Sequence, residues 1–109
     1  MNNVTDQLKK EFEKAQLARV SKNEGQARVC ARRAAGIAIR EYLTRDGTHI
    51  PNMSAYDLLN LLKDDQRLPP DLKLATENLT VRVTEEFTLP VDADLIAESR
   101  KLCNWLLSH

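Results

Sequence analysis

Apolar residues return along this chain at steps of three and four, the spacing of helices that turn one face inward. From about Thr5 to Val20 the register holds Leu8, Phe12 and Ala15, with Leu17 and Val20 as further inward candidates and lysines and glutamates outside. The longest such stretch is Gln26 to Leu43, reading QARVCARRAAGIAIREYL. On a wheel of roughly 100° per residue, Ala27, Ala31, Ala34, Ala38 and Tyr42 share one quadrant, flanked by Cys30 and Ala35. Small residues at this spacing let a neighbouring helix approach to the short end of the usual ~8–10 Å. Arg28, Arg32, Arg33 and Arg40 occupy the other half, with Val29, Ile39 and Leu43 among them. A helix apolar on more than one side takes the centre of a bundle.

The punctuation between these runs predicts five helices. Ser21 followed three residues later by Glu24 reads as a capping box, placing the first boundary around Ser21 to Asn23. Gly36 is mid-helix, where glycine costs about 1 kcal/mol against alanine; close approach of another backbone or of a ligand would compensate. The central helix is expected to stop near Arg45, where Asp46-Gly47 supplies turn chemistry and Gly47 a left-handed cap. A loop from Asp46 to Met53 carries His49 and Pro51. Ser54, with Asp57 three residues on, starts a short third helix bearing Tyr56, Leu58, Leu59, Leu61 and Leu62.

Leu68-Pro69-Pro70 forms the next connection, because proline belongs in the first turn of a helix. Leu72, Ala75, Leu79, Arg82 and Val83 follow at helical spacing. Thr80 to Thr84 also alternates like a strand, but with no other strand to pair with it is assigned to the helix. Glu85 to Val91 is expected to be a loop with Phe87 and Leu89 beneath the bundle. Asp92 or Asp94 then caps a last helix whose buried face comprises Leu95, Ile96, Leu102, Cys103, Leu106 and Leu107. Short connections favour antiparallel neighbours. The expected fold is all-α, an up-and-down bundle of four to five helices in a single domain over residues 1–109.

Composition narrows the function classes. With 42% apolar and 29% charged residues, the chain has the make-up of an ordinary soluble domain. Sixteen basic residues balance sixteen acidic ones, so no whole-molecule field draws it to nucleic acid or an anionic membrane. The polar stretch from Met1 to Lys10 precedes no apolar run, which argues against a signal peptide or a membrane span and for the cytoplasm. Cys30 and Cys103, both in helical patterns, read as buried thiols in a reducing compartment. No paired cysteine or histidine spacing suggests zinc, three glycines make no phosphate loop, and no serine has a credible histidine partner. Neither a metal nor a cofactor is expected.

The helix from Ala27 to Leu43, with its arginines and alanines, resembles the central helix of the HEPN domains, named for higher eukaryotes and prokaryotes nucleotide-binding. The order of the rest is compatible: a leucine-rich helix with Tyr56 to Leu62, a fourth with Arg82 near its end, Phe87 and Pro90, and a closing helix. The resemblance runs from about Glu13 onward. It implies a small all-α domain, commonly dimeric, in a family holding toxin-type ribonucleases and inactive members that bind nucleotides or proteins. Active members carry an arginine, then four to six residues, then a histidine, in the C-terminal part of the domain. Here Arg45 and His49 enclose three residues in an earlier loop, and Arg100 and His109 enclose eight. Neither pair meets the pattern, so no catalytic residue is carried over.

Chemistry alone leads the same way. Cleaving RNA by acid–base catalysis needs a group titrating near neutrality beside a cation that stabilises the charge developing on phosphorus. Arg45 and His49 are the alternative pair, for a metal-independent, toxin-like ribonuclease. The principal expectation is a non-catalytic module, a homodimer that binds a partner protein or a nucleotide or phosphate. Arg28, Arg32, Arg33, Arg40 and Arg82 are the phosphate candidates, since guanidinium groups form bidentate contacts. Against that stands pairing with Glu24, Glu41 or acids of neighbouring helices, or stems laid along apolar surface. Glu41, near the apolar sector, needs an arginine or tyrosine partner if buried. Trp105 projects off the main face of the last helix, either closing the bundle edge or anchoring a subunit contact.

Overall fold

In the computed structural model, which describes residues 3–81 and 94–108, five helices follow one another with no strand among the described residues: α1 (Val4–Val20), α2 (Glu24–Arg45), α3 (Ala55–Leu62), α4 (Pro70–Thr80) and α5 (Leu95–Ser108). Each helix packs on the next in sequence, and α5 returns to α2, which touches all four others. The alanine band explains this centrality. Ala27, Ala31, Ala34, Ala35 and Ala38 are fully buried, as are Cys30 and Ile39 on their flanks. They share one hydrophobic cluster with Leu8 and Phe12 of α1, Leu58, Leu59 and Leu62 of α3, Leu72 and Leu79 of α4, and Leu95, Ile96, Leu102 and Leu106 of α5.

Local chemistry sets the helix ends. Lys22 adopts a left-handed conformation, φ 64°, so the Asn23 N–H reaches back to the Ala18 carbonyl at 2.7 Å and the Lys22 N–H to that of Arg19 at 3.0 Å. This Schellman closure puts Asn23, not Ser21, at the start of α2, where its side-chain oxygen accepts from the Gln26 N–H at 3.2 Å. The expected Ser21–Glu24 box therefore does not form. Glu24 instead pairs with Arg19, 2.6 Å from its Nε, and Arg19 also reaches Asp94 at 2.9 Å. One guanidinium thus ties the beginnings of α2 and α5 together.

The other caps follow the sequence signals. Gly47, φ 83°, closes a second Schellman turn with the Thr48 N–H on the Leu43 carbonyl at 3.2 Å. The Ser54 hydroxyl accepts from the Asp57 N–H at 3.1 Å, Pro70 opens α4, and Asp94 accepts from Ile96 and Ala97 to open α5. Helix α4 stops at Thr80, and Val81 is extended, so the helical assignment of Thr80 to Thr84 ends one residue in. Arg82, the strand-like remainder, the loop with Phe87, Leu89 and Pro90, and His109 lie outside the described residues. Leu17 and Val20, inward candidates in the sequence, are 68% and 78% exposed, because at roughly 100° per residue they fall about 180° and about 120° round the helix from Leu8, away from the face that Leu8, Phe12 and Ala15 bury. Among the described residues no helix is long and apolar enough to cross a membrane.

Gly36 faces the start of α3. A Cβ there would stand 2.9 Å from the Ala55 Cβ and 3.1 Å from its Cα, so the close approach is to backbone.

Candidate functional site

The arginines of α2 divide by what their guanidinium groups touch. Arg32, half-buried, donates to the carbonyls of Leu79 at 2.6 Å and Val81 at 3.0 Å. These carbonyls close α4 and have no intrahelical donor, so Arg32 caps that helix from outside. Arg40 does the same for the loop before α3, donating to Ile50 at 3.3 Å and Pro51 at 3.0 Å. Arg45 pairs with Glu41 at 3.1 Å and donates to the Leu107 carbonyl at 3.3 Å, which joins the ends of α2 and α5 and gives half-buried Glu41 its partner. Arg28 and Arg33 are different. Neither makes a hydrogen bond or an ion pair among the described residues.

This produces a local positive patch on a molecule of zero formal net charge. Arg28, Val29, Arg32 and Arg33 fill one and a half turns of α2, with Arg28 and Arg33 about 7.5 Å apart along the axis. Burial and then the neighbouring Arg28 push the Arg32 guanidinium below its ordinary pKa, opposed by the Tyr56 hydroxyl. No carboxylate among the described residues pairs with it. Tyr56 of α3 is partly exposed beside this cluster, as is Val29. Two guanidinium groups without a described partner beside a fixed third can receive an anion.

His49 is exposed, and its side chain makes no hydrogen bond with a described residue. It does not meet Arg45, whose guanidinium is directed at Glu41 and Leu107. Cys30 and Cys103 are both buried free thiols, and desolvation pushes Cys103 up to about 12 despite its contact with Ser99, so it is no nucleophile near neutrality. Among the described residues no three of histidine, cysteine, aspartate and glutamate group as metal ligands would.

No protein-family model, curated protein or solved structure matches this chain.

Trp105 closes the bundle edge. It is half-buried against the core, its ring centroid 5.6 Å from that of Tyr42 at a tilt of 48°. The Tyr42 hydroxyl donates to Asp65 at 3.1 Å, and Arg67 lies 4.7 Å from the Tyr42 ring centre while chelating Asp65 through Nε and Nη2. Arg67 also reaches Asp46 at 2.7 Å, fastening the segment after α3 to the end of α2.

That cluster makes stability depend on pH at both ends. The hydrogen bonds from Arg67 hold the Asp65 carboxyl below its ordinary value against the opposing effect of burial. At Asp94 burial acts upward, but the bonds from Arg19 and the α5 backbone prevail and the pKa is again lowered. A carboxylate depressed in the folded state contributes stability that is present above its unfolded pKa of about 4 and lost as pH falls through the folded value. Burial and the bond to Asp65 push Tyr42 up to about 12, so its contribution is intact below its unfolded value of about 10 and is lost between there and about 12. Cys103, pushed up to about 12 by burial, adds to the alkaline loss from its unfolded value of about 8.5, so the melting temperature should form a plateau from about pH 5 to about pH 8 and fall on either side. Asp65→Asn should lower the plateau and flatten the acid limb, as scanning calorimetry across pH would show.

The residues that sequence spacing did not single out are Tyr56 and Val29 beside the arginines, and Glu11 on α1. Glu11 carried a signal, since it falls between Leu8 and Ala15 at steps of three and four.

Proposed function

We propose that this chain is a non-catalytic, HEPN-like helical binding module that acts as a homodimer and binds a nucleotide or other phosphate compound on the Arg28 to Arg33 turn of α2. The observation that carries this reading is the division of labour among the arginines. Arg32, Arg40 and Arg45 are occupied by backbone carbonyls or Glu41, whereas Arg28 and Arg33 are left for a ligand beside partly exposed Tyr56. Phosphate oxygens would accept from these two.

Self-association is supported by the apolar end of α1. Phe12, Leu17 and Val20 line a groove that also holds Lys9, Glu13 and Arg100, so one surface offers apolar area and both signs of charge, as an isologous contact needs. The ribonuclease alternative finds no such support, because Arg45 is committed and His49 stands apart.

The test is ATP titration followed by amide chemical shifts. Resonances of Arg28 to Arg33 and Tyr56 should move saturably, and Arg28→Ala with Arg33→Ala should weaken binding about tenfold or more, each charged hydrogen bond contributing roughly 1.5–3 kcal/mol. Unchanged affinity in the double variant would remove the site from α2. Leu17→Glu should convert the dimer to a monomer in sedimentation; a wild-type monomer at micromolar concentration would dispose of the dimer.

A further inference from the structure

A groove opens where α1, α2 and the start of α3 meet and encloses about 340 Å³, within the range of small-ligand sites. Ile37, Met53, Ala55 and Leu58 give it an apolar floor, and Glu11, Arg33, Arg40 and Glu41 reach its rim. Two carboxylates and two guanidinium groups cancel formally, so what decides the occupant is which of the four already has a counter-charge.

Both carboxylates have one. Glu41 is paired with Arg45 at 3.1 Å. Glu11 sets its Oε2 4.0 Å from Lys14, and its Oε1 is withdrawn from solvent, out of reach of anything in the groove. Neither guanidinium has one. Arg40 donates to the Ile50 and Pro51 carbonyls, which engage its N–H groups but leave its charge uncancelled. Arg33 is exposed and makes neither a hydrogen bond nor an ion pair with a described residue. With the ion partners included, Arg33, Arg40, Arg45 and Lys14 face only Glu11 and Glu41. The excess is positive, and it favours an anion.

The register of α2 says what the anion is attached to. Arg33 and Ile37 are one turn apart on the same face, ~6 Å along the axis, so a head group on Arg33 leads its substituent onto Ile37 and the apolar floor. Covering that floor contributes to affinity only if the substituent is apolar. We infer that the α1–α2–α3 groove binds a small aliphatic monocarboxylate. The Arg33 guanidinium donates to both carboxylate oxygens through its paired N–H groups, and the hydrocarbon lies on Ile37, Met53 and Leu58. Arg40 attracts the anion without contact. The site shares Arg33 with the phosphate reading but uses neither Arg28 nor a phosphate, so it stands without that reading.

The probe is 4-methylpentanoate, titrated into the protein at constant ionic strength while amide chemical shifts are recorded, beside acetate and 4-methylpentylamine. 4-Methylpentanoate should shift Ile37, Ala55 and Leu58 saturably. Acetate, without the hydrocarbon, should bind about tenfold or more weakly, and the amine should leave these amides in place. Arg33→Met, which keeps the apolar stem, should weaken 4-methylpentanoate about tenfold or more, the loss expected for a charge-assisted pair. Equal response to carboxylate and amine, equal affinity for acetate, or undiminished binding by Arg33→Met would overturn the assignment. So would groove shifts that follow protein concentration with no response to 4-methylpentanoate, which would make the groove a contact between copies. Arg28→Ala should weaken ATP and leave 4-methylpentanoate binding intact, so the two readings fail separately.

Discussion

Gly36→Val is expected to lower stability by about 2–3 kcal/mol, the upper part of the range for overpacked sites. The first atom added, a Cβ, would already sit 2.9 Å from the Ala55 Cβ and 3.1 Å from its Cα. A backbone atom cannot swing aside, so α3 must lift from α2 as a unit. That eight-residue helix holds its place through Leu58, Leu59 and Leu62, and each loses contact as it moves. Gly36→Ala is more informative about balance. Its gain of about 1 kcal/mol in helix propensity opposes the same contact, so its net loss should be clearly smaller than that of valine. Urea unfolding of both variants measures the pair; wild-type stability for Gly36→Val would mean that α2 and α3 are not packed this closely.

Arg32→Met should cost about 2 kcal/mol. Methionine keeps the apolar stem and removes the donors to Leu79 and Val81, leaving two terminal carbonyls of α4 without their charged partner. Hydrogen bonds to charged groups contribute roughly 1.5–3 kcal/mol, and the burial and like-charge repulsion that depress Arg32 offset part of that. The loss should be local as well as global: amide exchange near Thr80 and Val81 should accelerate more than at Ala34. Arg33→Met, exposed and without a described partner, should change stability by no more than about 0.5 kcal/mol. Equal effects from Arg32→Met and Arg33→Met would erase the distinction between structural and available arginines.

Most of the fold was legible because its determinants are local. The alanine band reports a crowded helix through periodicity alone, and Asp46-Gly47, Ser54 and Pro70 mark boundaries by backbone chemistry that any neighbouring structure must respect. Asn23 displaced Ser21 as a cap because the turn is decided by a left-handed Lys22, for which lysine carries no signal. Leu17 and Val20 are apolar but out of register with Leu8, Phe12 and Ala15, so the face that meets the other helices turns them outward.

The candidate site was less legible for a different reason. Arg28, Arg32, Arg33 and Arg40 look alike on a wheel, and what separates them is the position of carbonyl groups at residues 50, 51, 79 and 81. Backbone carbonyls have no residue identity, so no pattern of letters reveals which arginine meets one. Glu11 is the reverse case: its place between Leu8 and Ala15 was visible, but its unpartnered oxygen emerges only when α1 is laid against α2 and α3.

Whether the domain binds without catalysing is tested most directly by incubating purified protein with single-stranded RNA in excess EDTA and resolving the products on a denaturing gel. The arrangement of Arg45 and His49 predicts intact RNA for the wild type and for His49→Ala alike. Metal-independent cleavage by the wild type that disappears in His49→Ala would contradict it.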